Sequence, residues 1–154
     1  MRHRVVRKRL NRDMDHRKSL LLNLSKELIK NEKIETTLVK AKYLQSHIEK
    51  LITKAKEAFQ TKDKVRSYNI VKMLKAELRS DEEIRKLVSE IAPRYSGVNG
   101  GYTKIVRTRY RDGDKALMAR MELTKKGEVK KREVKKDTKR GTKEETKKEV
   151  KKGE

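Results

Sequence analysis

Three stretches of this chain carry side chains suited to holding phosphate. The first is the opening MRHRVVRKRLNR, with Arg2, His3, Arg4, Arg7, Lys8, Arg9 and Arg12, continued by His16, Arg17 and Lys18. No acid answers that run before Asp13. Its apolar residues share no helical face, and burying so much unpaired charge in a core is costly. It is either a solvated tail or an arm that expects a polyanion. Guanidinium forks match phosphate oxygens and also stack on unpaired bases. The second stretch holds Thr36, Thr37, Lys40 and Lys42. Hydroxyls and backbone amides at a helix N-terminus, followed by lysines, make a phosphate seat. The third interleaves Arg94, Tyr95, Gly100, Gly101, Tyr102, Lys104, Arg107, Arg109 and Arg111. Glycine lets a sugar–phosphate backbone approach closely, and tyrosine rings can stack on bases. Any one of these residues reads equally well as a solvated surface charge. The recurrence of one sign in three separate segments is what points to a polyanion.

Other chemistry finds poorer material. The histidines are His3, His16 and His47. The first two sit among arginines, which disfavour metal cations, and His47 lies near the polar side of a predicted helix. Asp13 and Asp15 read as a helix cap rather than a carboxylate pair. Asp112 and Asp114 lack the flanking ligands of a calcium loop and are explained by a hairpin turn. SGVNGG is not a phosphate loop, because no Lys-Ser or Lys-Thr follows it and a strand comes next instead of a helix. There is no cysteine, which excludes a disulfide framework, a thiolate nucleophile and Cys-ligated zinc. No catalytic residue, metal site or cofactor is expected.

Bulk composition agrees. Lys and Arg number 45 against 23 Asp and Glu, a formal net charge of +22 with a pI near 10.2. Such a charge repels itself unless an anionic partner neutralises it. Aromatic residues make up only 4%. No apolar run approaches the length of a membrane span, and the basic N-terminus lacks the apolar region of a signal peptide. The expectation is a soluble, intracellular protein that binds a polyanion, with no membrane or small-molecule partner. A nucleoid-type DNA-binding protein is the alternative, although neither a helix-turn-helix nor a dimer-forming stripe is present.

The elements that must position these residues are legible in the middle of the chain. Leu20, Leu21, Leu24 and Leu28 predict a first helix starting near Asp15. Ile34 suits a short strand, with Thr36 and Thr37 as caps for the next helix. That helix shows the clearest stripe: Ala41, Leu44, Ile48, Leu51, Ile52, Ala55 and Phe59, with Lys40, Lys42, Lys50 and Lys54 off it. Val71, Leu74 and Leu78 predict a third helix. SDEE then matches a capping box, with Ser80 and Glu83 bonding reciprocally. It opens a fourth helix, through Ile84, Leu87, Val88 and Ile91, that should stop before Pro93. YTKIVRTRY reads as a strand, Asp112-Gly113 as a hairpin turn, and Leu117, Ala119, Met121 and Leu123 as one face of a returning strand. The fold class is α+β: three to four helices packed on one face of a small mixed sheet, formed by the strand near Ile34 and the C-terminal hairpin. The division is a basic arm at 1–15, a globular domain at 16–124 and a lysine-rich tail at 125–154. The tail carries three copies of EVKK and cannot bury enough to offset its ordering entropy, so it is expected to be disordered.

The motifs resemble those of the bacterial large-subunit ribosomal protein seventeen family. MRHR and LNRDMDHRKSLLLNL are similar to its N-terminal signature. IETTLVKAKYLQ is similar to its most specific motif, through Ile34, Thr36, Thr37, Lys40, Ala41, Lys42 and Leu44. APRY and NGGYTKIVRTRYRDGDKALMARMEL match its C-terminal signature. Leu22 stands where a basic residue is common in the family, and Lys104 where Arg is common. The resemblance covers Met1 to Leu123 and implies a structural α+β protein of the cytoplasmic ribosome, present in single copy per subunit. It implies binding to large-subunit ribosomal RNA near the polypeptide exit, among neighbouring large-subunit proteins. The arm, the Thr-Thr-Lys-Ala-Lys segment and the Gly-Gly-Tyr loop would carry the RNA contacts.

Overall fold

A computed structural model describes residues 9–125. The expectations for Arg2, His3, Arg4, Arg7 and Lys8, and for the tail after Lys125, lie outside the described residues. Helix α1 runs Met14–Asn31, strand β1 Lys33–Thr37, helix α2 Leu38–Gln60 and helix α3 Lys64–Leu78. A continuous helical stretch follows: α4 Asp81–Lys86, a π-helical turn Leu87–Ile91, and the short α5 Ala92–Arg94. Strands β2 Thr103–Tyr110 and β3 Leu117–Leu123 close the domain.

Helix α1 begins at Met14, one residue earlier than its apolar spacing suggests, with Asp13 at the N-cap position. Leu28 and Ile29 are buried, and Leu21 and Leu24 pack against the same core. The helix ends when Glu32 turns left-handed at φ 59° and donates its amide to the Leu28 carbonyl at 2.8 Å. Helix α2 buries Ala41, Leu44, Ile48, Leu51, Ile52 and Ala55, as its stripe requires, but not Phe59. The inward place in that last turn goes to Ala58, whose carbonyl also accepts from the Ser67 hydroxyl at 3.0 Å. The bulky ring is thereby left half exposed. Helix α3 starts at an Asp63 cap that accepts from the Val65 amide at 2.9 Å, and it buries Ile70, Leu74 and Leu78.

Two local expectations fail for identifiable reasons. Ser80 does not complete a reciprocal capping box, because its hydroxyl donates to the Glu83 carboxylate rather than accepting from a backbone amide. That hydrogen bond holds the Glu83 carboxyl below its usual pKa. Nor does the helix stop before Pro93. Proline lacks an amide to donate and its ring crowds the preceding turn of an α-helix. Here the preceding turn widens instead, and the Ala92 amide reaches back five residues to Leu87. A wider π turn interrupts the α register just before the proline, and the chain stays helical through Arg94.

The sheet has the order β1-β3-β2. Both pairings are antiparallel, so the expectation of a mixed sheet is corrected: the long helical excursion returns the chain beside β1 in the opposite sense. Period-2 alternation puts Ala119, Met121 and Leu123 of the central strand under the helices, as the sequence indicates. Lys33, Glu35, Lys104, Val106 and Arg120 lie on the open face. Helices therefore cover one face of the sheet only, and the α+β class holds.

At the end of α3 the backbone is strained without burial in return. Arg79 caps α3 at φ 50° and is exposed. A side chain in the left-handed region costs energy that glycine avoids. Arg79→Gly is expected to raise stability by about 0.5–1 kcal/mol, read as a higher urea midpoint with an unchanged slope.

Candidate nucleic-acid interface

The register divides the candidate residues between the two ends of the sheet. Thr36, Ala119 and Arg107 form one row across the three strands, and Thr37 stands opposite Met118. Helix α2 leaves β1 at this end and carries Lys40 and Lys42 in its first two turns. The β2–β3 hairpin, with Arg109 and Arg111, extends beyond the same end. Lys40, Lys42 and Arg107 have no acidic partner among the described residues. Thr36 is itself buried in the strand, and Thr37 holds the α2 N-cap position without a side-chain hydrogen bond.

The hairpin tip is organised by an ion pair. Arg111 holds Asp114 through Nε at 2.8 Å and Nη2 at 2.5 Å. This guanidinium contact holds the Asp114 carboxyl well below the usual carboxylate range. The backbone turn is closed by Lys115, which is left-handed at φ 52° and donates to the Arg111 carbonyl at 2.8 Å. The turn lies where Asp112-Gly113 indicates, but the left-handed residue is not the glycine. Arg109 reaches Glu35 at 3.6 Å and Asp112 at 3.9 Å.

The glycine loop lies at the other end of the sheet, where Thr103 pairs with Leu123. Gly100 and Gly101 are exposed, and Gly101 adopts φ 67°, which favours glycine. Tyr95 and Tyr102, expected as stacking platforms, are instead each about 1% exposed. Their rings meet edge to face at 5.1 Å, and the Tyr95 hydroxyl donates to the Tyr102 carbonyl at 3.1 Å. Burial pushes the Tyr95 phenol pKa up. Neither ring presents a face to a base; the pair supports the loop from beneath. Lys56, unremarked in the sequence reading, is buried in the same place. Its ammonium donates to the Val98 carbonyl and lies 5.6 Å over the Tyr102 ring. The signal was available: Lys56 continues the i, i+4 series from Ile48 and Ile52 along the buried stripe.

Two further candidates at this end already have partners. Arg94 meets Glu32 at 2.9 Å and Glu90 at 3.9 Å, so its guanidinium ties α5 to the end of α1. Lys104 pairs with Glu122 at 3.1 Å on the open sheet face. At the start of α1, Arg12 contacts the His16 ring, Arg17 reaches the Arg12 carbonyl at 3.4 Å, and Lys18 pairs with Asp15 at 3.5 Å. Arg9 precedes this cluster and is exposed.

A cavity of about 520 Å³ lies between α1, α2 and α3, lined by residues that include Lys18, Leu22, His47 and Glu77. His47 is 3.8 Å from Glu77. Burial holds the His47 pKa below 6.5, opposed by Glu77 and assisted by Lys50 and Lys54. The unfolded chain thus binds the proton more readily than the folded one, and stability rises with pH. The full contribution is present above about pH 6.5 and is lost as pH falls from there towards the folded-state value. His47→Gln is expected to flatten this part of the stability–pH curve, measured by urea unfolding on both sides of pH 6.5. No group of three metal-ligating side chains occurs among the described residues.

Comparison with known proteins gives a consistent result. The family model described as ribosomal protein L17 matches residues 20–124. A Wolinella succinogenes protein named large ribosomal subunit protein bL17 is 51% identical over 123 residues, covering 80% of this chain and 99% of the relative. The Fervidobacterium nodosum protein of that name is 46% identical over 125 residues, covering 80% and 98%. The Thermotoga maritima protein is 45% identical over 123 residues, covering 80% and 94%.

Proposed function

The chain belongs to the ribosomal protein L17 family, and on that premise we propose that it binds large-subunit ribosomal RNA and ties separate RNA segments together. As a large-subunit protein it is a structural component of the cytoplasmic ribosome rather than an enzyme. Its partners are ribosomal RNA and neighbouring ribosomal proteins. In this reading it occupies the particle in single copy near the polypeptide exit, as the family resemblance implies.

The observation that carries the RNA reading is the unneutralised charge at one end of the sheet. Lys40 and Lys42 on α2 and Arg107 on β2 lie at that end without an acidic partner among the described residues. Each cation that meets a phosphate releases counterion, which supplies affinity, while the folded domain fixes where the contacts fall. Residues 1–15 serve as an arm, residues 16–124 as the placing domain, and residues 125–154 as a basic extension. The glycine loop offers a second point of close approach at the far end of the sheet.

Competition between transcribed large-subunit RNA and duplex DNA tests this reading. Preference for the folded RNA at moderate salt is expected. Equal binding to both would reduce the interaction to charge alone and favour a nucleoid-type role.

A further inference from the structure

The three tyrosines of the C-terminal region differ in exposure. Tyr95 and Tyr102 are sealed in the core, whereas Tyr110 is 64% exposed at the end of β2. It pairs with Leu117 just after an irregularity in the β2–β3 ladder. Beyond that irregularity, the hairpin end extends past the helices that cover the rest of the sheet. Tyr110 makes no ring contact or side-chain hydrogen bond among the described residues. The fold therefore gains little from an aromatic ring here.

The ring's surroundings are cationic. Residues 103–120 hold six Lys and Arg against two Asp, and Glu35 of β1 adds a third acid beside them. Arg109 and Arg111 flank Tyr110 directly in sequence, and Arg107 stands two rows inward. Ion pairs of Arg109 with Glu35 and Asp112, and of Arg111 with Asp114, hold two of these guanidinium groups near the tip. A rigid ring set among fixed guanidinium groups suits an unpaired nucleotide: the ring takes the face of the base, and the cations take its phosphates. An apolar protein partner would have to desolvate those arginines without gaining phosphate contacts.

We propose that Tyr110 is a stacking residue for an unpaired base of large-subunit RNA, at a site formed by the hairpin tip. This rests on the RNA-binding reading above and assigns its aromatic contact to a residue other than the buried pair.

The test is binding of the full chain to transcribed large-subunit RNA at fixed salt, comparing wild type, Tyr110→Ala, Tyr110→Phe and Tyr68→Ala. Tyr68 is a comparably exposed tyrosine on α3, at 68%, and serves as the control. Tyr110→Ala is expected to weaken binding by about 5- to 150-fold. The salt dependence should stay unchanged, because stacking releases no counterion. Tyr110→Phe and Tyr68→Ala should bind as wild type, and all variants should melt as wild type does. Wild-type affinity in Tyr110→Ala, or an equal loss in Tyr110→Phe, would overturn the stacking assignment alone. So would intact RNA affinity combined with weaker retention on salt-washed large subunits, which would place a protein neighbour at the tip. Failure of the wild type to prefer ribosomal RNA would overturn the RNA reading itself.

Discussion

Tyr102→Ala is expected to cost about 3–5 kcal/mol of folding stability, a large part of what a small domain has. The ring is buried against Tyr95 at 5.1 Å and lies under the Lys56 ammonium at 5.6 Å. Its removal would open a cavity beneath the glycine loop and take away the aromatic face beside a buried cation. Tyr102→Phe keeps the ring and loses only a long hydrogen bond, 3.3 Å to the Val98 carbonyl. That carbonyl retains Lys56 as a donor, so the expected loss is about 1 kcal/mol or less. Urea unfolding of the two variants distinguishes a core ring from a stacking platform. RNA affinity at native-favouring conditions should be unaffected in Tyr102→Phe. A small stability loss in the alanine variant, with RNA binding abolished, would return Tyr102 to the interface.

Removing residues 1–12 is expected to produce the largest change in RNA affinity. The segment holds Arg2, Arg4, Arg7, Lys8, Arg9 and Arg12, and among the described residues burial begins only at Ser25. If all six cations meet phosphates, the slope of log affinity against log salt should become shallower by about 4–5. Affinity at low salt should fall by about a thousandfold or more. The melting temperature should hardly move, because α1 starts at Met14 and none of residues 9–12 is buried. A filter-binding titration across salt concentrations, with thermal melts of both forms, reads both effects. An unchanged slope would mean that the arm is only a solvated extension.

Local rules made much of this fold readable. The stripe of α2, the alternation of β3 and the hairpin turn each follow from one periodicity and one set of turn residues. Pairings between distant segments were not readable that way. Arg94 and Glu32 are 62 residues apart, and only the tertiary fold brings them together. The same limit misassigned the tyrosines. Tyr95, Tyr102 and Tyr110 share a basic, glycine-containing neighbourhood in sequence, which says nothing of which rings turn inward. The sheet and helix α2 decide that, covering Tyr102 and leaving the hairpin tip bare. The helical stretch opened by α4 runs past its expected stop because a proline can be accommodated by widening the turn before it, an option that single-residue propensities do not encode.

For the candidate site, charge was legible and engagement was not. The sequence showed cations in three segments, but not that Arg94, Lys104 and Arg111 already hold carboxylates in the fold. It also gave no sign that Lys40, Lys42 and Arg107 would share one end of the sheet. That depends on the antiparallel register of β1 with β3 and β2 with β3, which links residues about 70 positions apart.

The RNA-binding proposal makes this chain a large-subunit component held by ribosomal RNA. Its most direct test is co-sedimentation of the tagged full-length protein from cell extract through gradients of rising salt. Retention on the large subunit through high salt is the predicted result, with the form lacking residues 1–12 washing off earlier. Release of the full-length protein at low salt, or its migration with chromosomal DNA, would contradict it.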